Sequence, residues 1–433
     1  MPRDKYWLFT SSILQLLQQE SHKSGSGYTT QEEDDVDEDE DETQEQEPGY
    51  QSTSGDTNGV RRHMSLSRSG NQNSYESISD DYYRMPVDNS SKVTSRDSSE
   101  NFADILPEQD QPQDNIRQQS PDVDDDSENY FFHIALTPTE CTIVCSSRLM
   151  DCYFKEAIKV CSELNYDNVQ LLPESYISLQ VDSDGSFDRS LRILELTEPL
   201  SENNISLFFL SSHFNDIVLI PYDLKDKVVN ILTKKYFEFS DISNSYISLS
   251  DSTDTPNSEA AHSSTRALED HTFKLFNQAN IKPSIHENVK LLLTGARAGE
   301  VSNSIAKTSK ILSIPTNIPD YFAITRTSIN EVSLILPRSS KRRNKMGFDS
   351  KYIIGSTQDI IIPIMIDFSK LPLDSTGIVA GVASKLINGM RLTHNDYLFE
   401  LNYFSMAKSG VIMIPQENVE VISQILGKAS SNQ

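Results

Sequence analysis

Apolar and polar residues follow the same order in two parts of the chain. Residues 210–221 show an apolar strand pattern, a polar tip and a second strand that ends in proline, and an amphipathic helix pattern follows at 224–232. Residues 404–415 repeat that order, again with an amphipathic helix pattern behind them, at 418–426. Because strands have a period of two and helices a period of about 3.6, both segments predict strand–turn–strand–helix, the second half of a βαββαβ unit.

The other apolar clusters extend this prediction to an α+β protein of repeated βαββαβ units in two lobes. Residues 129–239 predict a first lobe with a pair of units. The strand pattern at 177–181 is assigned to the first unit, so the first strand and glycine turn of the second unit are not evident. Residues 271–355 and 356–430 repeat the order and predict a third and a fourth unit. Residues 240–270 are rich in Ser, Asp and Thr without a period, which predicts a linker between the lobes.

The amino-acid composition predicts that a long segment of the chain does not fold. The chain has 433 residues, a net charge of −26 and only 36% hydrophobic residues. Residues 20–128 hold most of this deficit, and too little apolar surface is available there to offset the ordering entropy, so we predict a disordered acidic segment. Residues 1–19 predict an amphipathic helix that packs on the protein's own core or on a partner, because no signal-peptide cleavage site follows them.

Charge and cysteine patterns exclude several classes of function. Strong acidity argues against nucleic-acid and anionic-membrane binding, and the longest apolar run, 360–366, is too short to span a bilayer. The basic cluster 338–345 predicts a solvated hairpin loop or, alternatively, an interaction patch. The four cysteines lack metal-ligand spacing, so we predict buried reduced thiols, a cytoplasmic location, and no metal or other cofactor. These cysteines are Cys141, Cys145, Cys152 and Cys161.

No arrangement of residues predicts catalysis. The eight histidines are scattered, and the acidic residues are concentrated in a segment that cannot hold them rigidly. Catalysis needs fixed geometry, so we expect a protein that is not an enzyme.

The strongest candidate for a binding site is the loop that leads from the strand pattern 360–366 into a helix. Asp374 or Ser375 is a suitable N-cap, and Gly377 permits close approach of another molecule to the backbone. Free amides at a helix start attract a carboxylate. Two interpretations fit: a capped helix with small packing residues, or a ligand site faced across a lobe interface by Ser206 and Leu207.

These segments resemble the CASTOR family of cytosolic arginine sensors, whose tandem ACT domains are related to the regulatory domains of aspartate kinases. The resemblance extends from Tyr130 to about Leu426 and implies ferredoxin-like ACT units with an amino-acid ligand between the second and fourth units. It is clearest at residues 205–220, 373–380 and 403–415.

The resemblance also implies roles for individual residues. The implied ligand contacts are Ser206, Leu207, Asp374, Ser375, Thr376, Gly377 and Ile378, with Gly410 at the position of the acidic residue that pairs with the arginine guanidinium in the family. Because Gly410 and Ser375 replace acidic residues, a guanidinium would lack its charged partner here. Three further residues match positions that contact the GATOR complex (a GATOR/SEA-type complex) upstream of TOR: His213, Phe214 and Asp216.

The sequence therefore predicts a non-catalytic cytoplasmic regulator that binds a small amino acid or related metabolite and acts by protein contact in nutrient signalling to TOR. Homo-oligomerisation is compatible with this prediction. The alternative is a ligand-free interaction scaffold whose acidic segment recruits partners. An enzyme subunit of amino-acid metabolism is the third hypothesis.

Overall fold

The computed structural model describes residues 1–23, 130–181, 189–241, 246–249, 258–372, 374–393 and 400–431. The predicted disordered acidic segment, 20–128, lies outside the described residues except for 20–23, which end a helix. No described helix is long and apolar enough to cross a membrane.

Short strands alternate with helices along the described chain. The helices are α1 Thr10–Lys23, α2 Ser147–Tyr153, α3 Lys155–Glu163, α4 Arg189–Glu202, α5 Lys225–Thr233, α6 Ser258–Ala279, α7 Val301–Leu312, α8 Ser340–Lys345, α9 Ile378–Thr393 and α10 Val419–Ser431. The strands are β1 Phe132–Leu136, β2 Cys141–Cys145, β3 Tyr176–Val181, β4 Phe208–Ser211, β5 Asp216–Pro221, β6 Phe237–Asp241, β7 Tyr246–Leu249, β8 Ser284–Ile285, β9 Leu291–Ala296, β10 Phe322–Arg326, β11 Val332–Pro337, β12 Ile353–Ile354, β13 Ile361–Asp367, β14 Asn402–Ser405 and β15 Ser409–Pro415.

These strands form one sheet whose two halves pack against each other. Its order is β2-β1-β10-β11-β9-β13-β15-β14-β4-β5-β3-β7-β6, with β12 on β9 and β8 on β13. One apolar cluster combines residues of both halves, among them Ala135, Ile335, Leu219 and Met413, so the halves meet face to face. Two further clusters lie between the sheet and the helices on its other face. The described part of the chain is therefore a mixed α/β sandwich with helices outside.

The strands and helices divide into four units of similar order. The second unit is β3–α4–β4–β5–α5, the third is β9–α7–β10–β11–α8 and the fourth is β13–α9–β14–β15–α10. In the first unit, α1 accompanies β1, β2 and α3. β1 pairs with β10, and β4 pairs with β14. The first unit is thus joined to the third and the second to the fourth, so residues 129–239 supply one unit to each pair.

The N-terminal residues belong to the core of the first pair. A 3-10 helix, Arg3–Phe9, leads into α1, which packs on α7 and buries Ile13, Leu16 and Leu17. At the end of α1, Glu20 and Arg326 form an ion pair at 2.8 Å with both side chains 0% exposed. Glu20 also lies 2.8 Å from Lys23. Removing the Glu20 carboxylate would take away the acceptor that both cations face, which is strongly destabilising for the buried guanidinium. The residues predicted as an amphipathic helix, 1–19, therefore lie on the protein's own core.

The second unit is not truncated as the sequence suggested. The prediction assigned 177–181 to the first unit, which left the second without a first strand. In the structure β3 pairs with β5 along its whole length, from Tyr176 opposite Pro221 to Val181 opposite Asp216. Because this pairing joins residues far apart in sequence, adjacency along the chain could not reveal it.

The segment predicted as a linker, 240–270, instead contains regular structure. It includes the end of β6, all of β7 and the first half of α6. Helix α6 packs along α9, where Lys385 forms a 2.6 Å ion pair with Glu269 and Thr272 donates a hydrogen bond to the Gly377 carbonyl. Only one face of α6 contacts the core, so the rest of the helix can be polar. The polar sequence therefore showed no apolar period from which a helix could be predicted.

Two smaller predictions are corrected. The basic cluster 338–345 is not a hairpin loop, because it contains α8, which is capped by Ser339. The Arg343 side chain is buried and donates hydrogen bonds to the carbonyls of Pro337 and Arg338. All four cysteines are free thiols, but only Cys141 and Cys161 are buried, whereas Cys145 is partly buried and Cys152 is exposed.

A matched pair of substitutions tests the packing of α6 on α9. A Cβ at Gly381 would overlap Thr272 Oγ1 and lie 2.8 Å from the Leu268 carbonyl oxygen, whereas a Cβ at Gly427 in α10 meets nothing within 4 Å among the described residues. We expect Gly381→Ala to lower the free energy of unfolding by about 1–3 kcal/mol through overpacking. Gly427→Ala should raise it by about 0.5–1 kcal/mol through the better helix propensity of alanine.

Urea unfolding of both variants measures these changes. If Gly381→Ala were as stable as Gly427→Ala, α6 would not pack on α9 in solution.

Candidate functional site

The second and fourth units meet along the edges of β4 and β14. Leu210 lies opposite Phe404, which is the residue at the equivalent position in the other repeated segment. On either side of it the Phe209 amide donates to Ser405 Oγ at 2.9 Å, and the Tyr403 amide donates to Ser211 Oγ at 3.1 Å. Phe209 and Ser211 occupy the same positions in one repeat as Tyr403 and Ser405 in the other. Two reciprocal hydrogen bonds therefore hold the units in a pseudo-twofold arrangement.

A cavity of about 260 Å³ lies beside this junction. The second unit contributes the chain before β3, the end of α4 and the chain into β4, and the fourth contributes the loop before α9 and the β14–β15 turn. We call it the site cavity. It is lined by Leu172, Pro173, Glu174, Tyr176, Ser201, Ile205, Ser206, Leu207, Phe208, Phe368, Leu371, Pro372, Asp374, Ser375, Thr376, Gly377, Ile378, Val379, Ser405, Met406 and Ala407.

The loop before α9 is held in a shape that turns the helix start toward the site cavity. Ser375 donates through its backbone amide and its hydroxyl to the Pro372 carbonyl, at 3.1 and 2.7 Å. Gly377 has φ +79°, a left-handed conformation that favours glycine. Its carbonyl accepts from the Gly381 amide at 2.8 Å, which begins the helical ladder. The first amides of a helix have no acceptor within the helix, so those of α9 are available to an anion.

The predicted ligand contacts come together at this cavity with one exception. Ser206, Leu207 and the loop residues Asp374, Ser375, Thr376, Gly377 and Ile378 all line it. Gly410 does not: it lies on β15, where an added Cβ would be 2.5 Å from Tyr403 Oη and 2.9 Å from the Phe368 ring. A larger side chain fits at Gly410 only if those two residues move.

Several residues of the site cavity escaped the sequence analysis. Glu174 and Tyr176 precede or begin the strand that was assigned to the wrong unit, and Tyr176 Oη donates to Glu174 at 3.2 Å. Burial raises the pKa of Tyr176 to about 12, so its hydroxyl stays protonated. Ser405 lies in one repeated segment and Phe208 just before the other, and both were interpreted as strand residues only. Ser405 and Phe208 would both have been identified as site residues if the pairing of β4 with β14 had been predicted.

Of the three residues predicted to contact a partner protein, His213 and Phe214 lie half-buried against the third unit. The His213 amide donates to Ser333 Oγ at 2.9 Å, and the rings of His213 and Phe214 occupy a slot beside Gly295, where a Cβ would lie 2.6 Å from Phe214. Asp216 is 7% exposed and lies 3.9 Å from Arg192. Asp216 is therefore buried in the fold and is not a surface residue.

Comparison with known proteins identifies the second and fourth units. Residues 171–234 and 356–428 match the model of an ACT domain. The chain carries tandem ACT domains. The matched ranges cover the two units that form the site cavity, and ACT domains are regulatory rather than catalytic modules that bind small amino acids. The first range also includes β3, which agrees with a complete second unit.

One solved structure resembles the chain weakly. Among solved structures, an aspartate kinase from Synechocystis matches with a TM-score of 0.25 and 10% sequence identity, over 70% of this chain and 50% of that one. The chain thus spans about half the length of that protein. No curated protein matches the sequence. Among the described residues, no group of three or more His, Cys, Asp or Glu side chains could hold a metal ion.

Serine substitutions test the junction between the two ACT domains. Ser405→Ala or Ser211→Ala leaves a buried strand amide without its acceptor, and we expect each to lower the free energy of unfolding by about 1–3 kcal/mol. Ser178→Ala is the matched control, because Ser178 Oγ is buried and has no hydrogen-bond partner among the described residues.

Urea unfolding of the three variants provides the comparison. Ser178→Ala should be neutral or slightly stabilising. Equal stability of all three would show that the reciprocal hydrogen bonds do not hold the domains together.

Proposed function

We propose that the protein is a non-catalytic regulator that binds a free amino acid in the site cavity between its second and fourth units. The observation that supports this proposal most strongly is the cavity itself, which lies between two ACT domains and is lined by both. Its volume of about 260 Å³ suits a ligand smaller than a typical drug molecule.

The chemistry of the lining supports an amino-acid backbone as the ligand. The start of α9 offers amides and a positive helix end to a carboxylate. Glu174 and Asp374 are the charged residues of the lining, and both are exposed, so they lie at the mouth of the cavity. A carboxylate near one of them attracts an ammonium group. The ligand thus bridges both domains.

Such a bridging ligand favours the paired state of the domains, because binding energy is gained only while both walls are present. We propose that this shift is transmitted to a protein partner in nutrient signalling to TOR, as in the CASTOR family, with cytoplasmic contacts to a GATOR/SEA-type complex. The tip residues His213 and Phe214 are half-buried beside Gly295, so movement of the second unit against the third would change the surface that a partner meets there. Ligand-dependent release of the partner is the proposed switch.

A melting-temperature screen against the twenty amino acids tests the binding proposal. A ligand that binds only the folded protein raises its stability with concentration, by about 2.7 kcal/mol at a hundredfold excess over Kd. Thr376→Trp places a large ring in the site cavity and should abolish the shift. Thr357→Trp, at an exposed residue outside this cavity, is the matched control and should retain it.

The absence of any shift at millimolar amino acid would contradict the proposal and favour a ligand-free scaffold. A shift that survives in Thr376→Trp would place the ligand elsewhere. For the partner, co-precipitation of a GATOR/SEA-type complex should depend on the same amino acid. If no such complex is captured with or without the ligand, the TOR connection is wrong while the binding proposal stands.

A further inference from the structure

A second cavity adjoins the site cavity and is lined without any charged side chain. It has a volume of about 210 Å³ and lies between β2, α2 and α3 of the first unit and strands β4 and β5 of the second. We call it the apolar cavity. Burial raises the pKa of Cys145, one of its lining residues, to about 12, so this thiol is uncharged. Most of its lining is aliphatic or aromatic, including Ile143, Met150, Phe154, Ile158, Leu210 and Leu219.

The two cavities share a partition. Five residues line both: Leu172, Tyr176, Phe208, Ser405 and Ala407. Tyr176 and Phe208 form an edge-to-face pair with ring centroids 5.4 Å apart, and both side chains are only partly buried. Rings at a cavity wall can change rotamer without disturbing the backbone. A group that enters the site cavity therefore meets an aromatic wall with apolar space behind it.

The inner part of the site cavity does not suit a charged side chain. Its charged lining residues, Glu174 and Asp374, are exposed and lie at the mouth. At Gly410, a carboxylate would collide with Tyr403 and Phe368. A guanidinium or ammonium placed inside would be desolvated without a counter-ion, which is strongly unfavourable.

We infer that the ligand is an amino acid with a large uncharged apolar side chain, as in leucine, methionine or phenylalanine, which contacts Tyr176 and Phe208 and extends toward the apolar cavity. This inference rests on the proposed function and adds the ligand class. Its carboxylate lies at the start of α9, its ammonium group faces the acidic mouth, and its side chain points to the partition. Burial of apolar surface against these rings drives the selectivity.

The test compares amino acids and blocks the partition. Isothermal titration measures the binding of leucine, methionine, phenylalanine, arginine and alanine to the full chain, to Ala407→Leu and to Ala298→Leu. Ala407 is half-buried and lines both cavities, whereas Ala298 lies in an exposed turn before α7 and lines neither. The two variants add the same atoms, so they differ only in where those atoms lie.

We expect the three large apolar amino acids to bind the wild-type chain at least about tenfold more tightly than arginine or alanine, since pocket contacts of one to a few methylenes give about 10–200-fold discrimination. Ala407→Leu should weaken the binding of the three large apolar amino acids by about tenfold or more and leave the affinity for alanine unchanged. Ala298→Leu should change the affinity for none of the five amino acids. The inference is overturned if arginine binds most tightly, or if Ala407→Leu affects all amino acids equally. If the wild-type chain binds none of them, the proposed function itself fails.

Discussion

The edge-to-edge pairing of β4 with β14 is the interaction on which the site cavity depends. An unpaired strand edge normally invites association with another chain. Here two repeated strands of one chain pair with each other along their edges. The hydroxyls of Ser211 and Ser405 each accept a hydrogen bond from a strand amide of the opposite repeat. The arrangement has the self-complementary character of a twofold dimer interface, but both halves belong to one chain. Without this pairing, the two walls of the site cavity would not face each other.

Strand pairing between units also joins the first unit to the third. The first and third units pair through β1 and β10, where His133 lies opposite Thr325 and their side chains hydrogen-bond at 2.8 Å. His133 also stacks on Phe404 of the other pair at 5.8 Å between ring centroids. The two pairs are therefore connected through the central core as well as by the tip beside Gly295. A change at one junction therefore has a direct packing route to the other, along which coupling between the two pairs can be carried.

The repeated segments were the most predictable part of the fold, because their periodicity is local. The paired strands, the turns and the helices behind them follow from residues 210–232 and 404–426 alone. The prediction was wrong where long-range pairing decides the structure: the partner of Tyr176 is Pro221, and no local pattern indicates that. Helix α6 was missed because a helix that buries one narrow face against α9 can be polar on the rest of its surface.

The candidate site was predictable to the same degree. The loop from Asp374 to Ile378 could be recognised from its position between a strand pattern and a helix pattern, and all of these residues line the site cavity together with Ser206 and Leu207. The predicted N-cap was wrong, because α9 begins at Ile378 and the residue before it is Gly377 rather than Asp374 or Ser375. Glu174 and Tyr176 could not be found, because their contribution requires the correct position of β3. The apolar cavity combines residues from units that are distant in sequence, so it exists only in the folded chain.

Amide hydrogen exchange at Phe209 and Tyr403 tests the central claim most directly. These two amides should exchange slowly in the free protein, and leucine at saturating concentration should slow both by the same factor, since the domains can separate only after the ligand leaves. Exchange as rapid as that of exposed loops, or protection of one amide without the other, would contradict a junction held by two reciprocal hydrogen bonds.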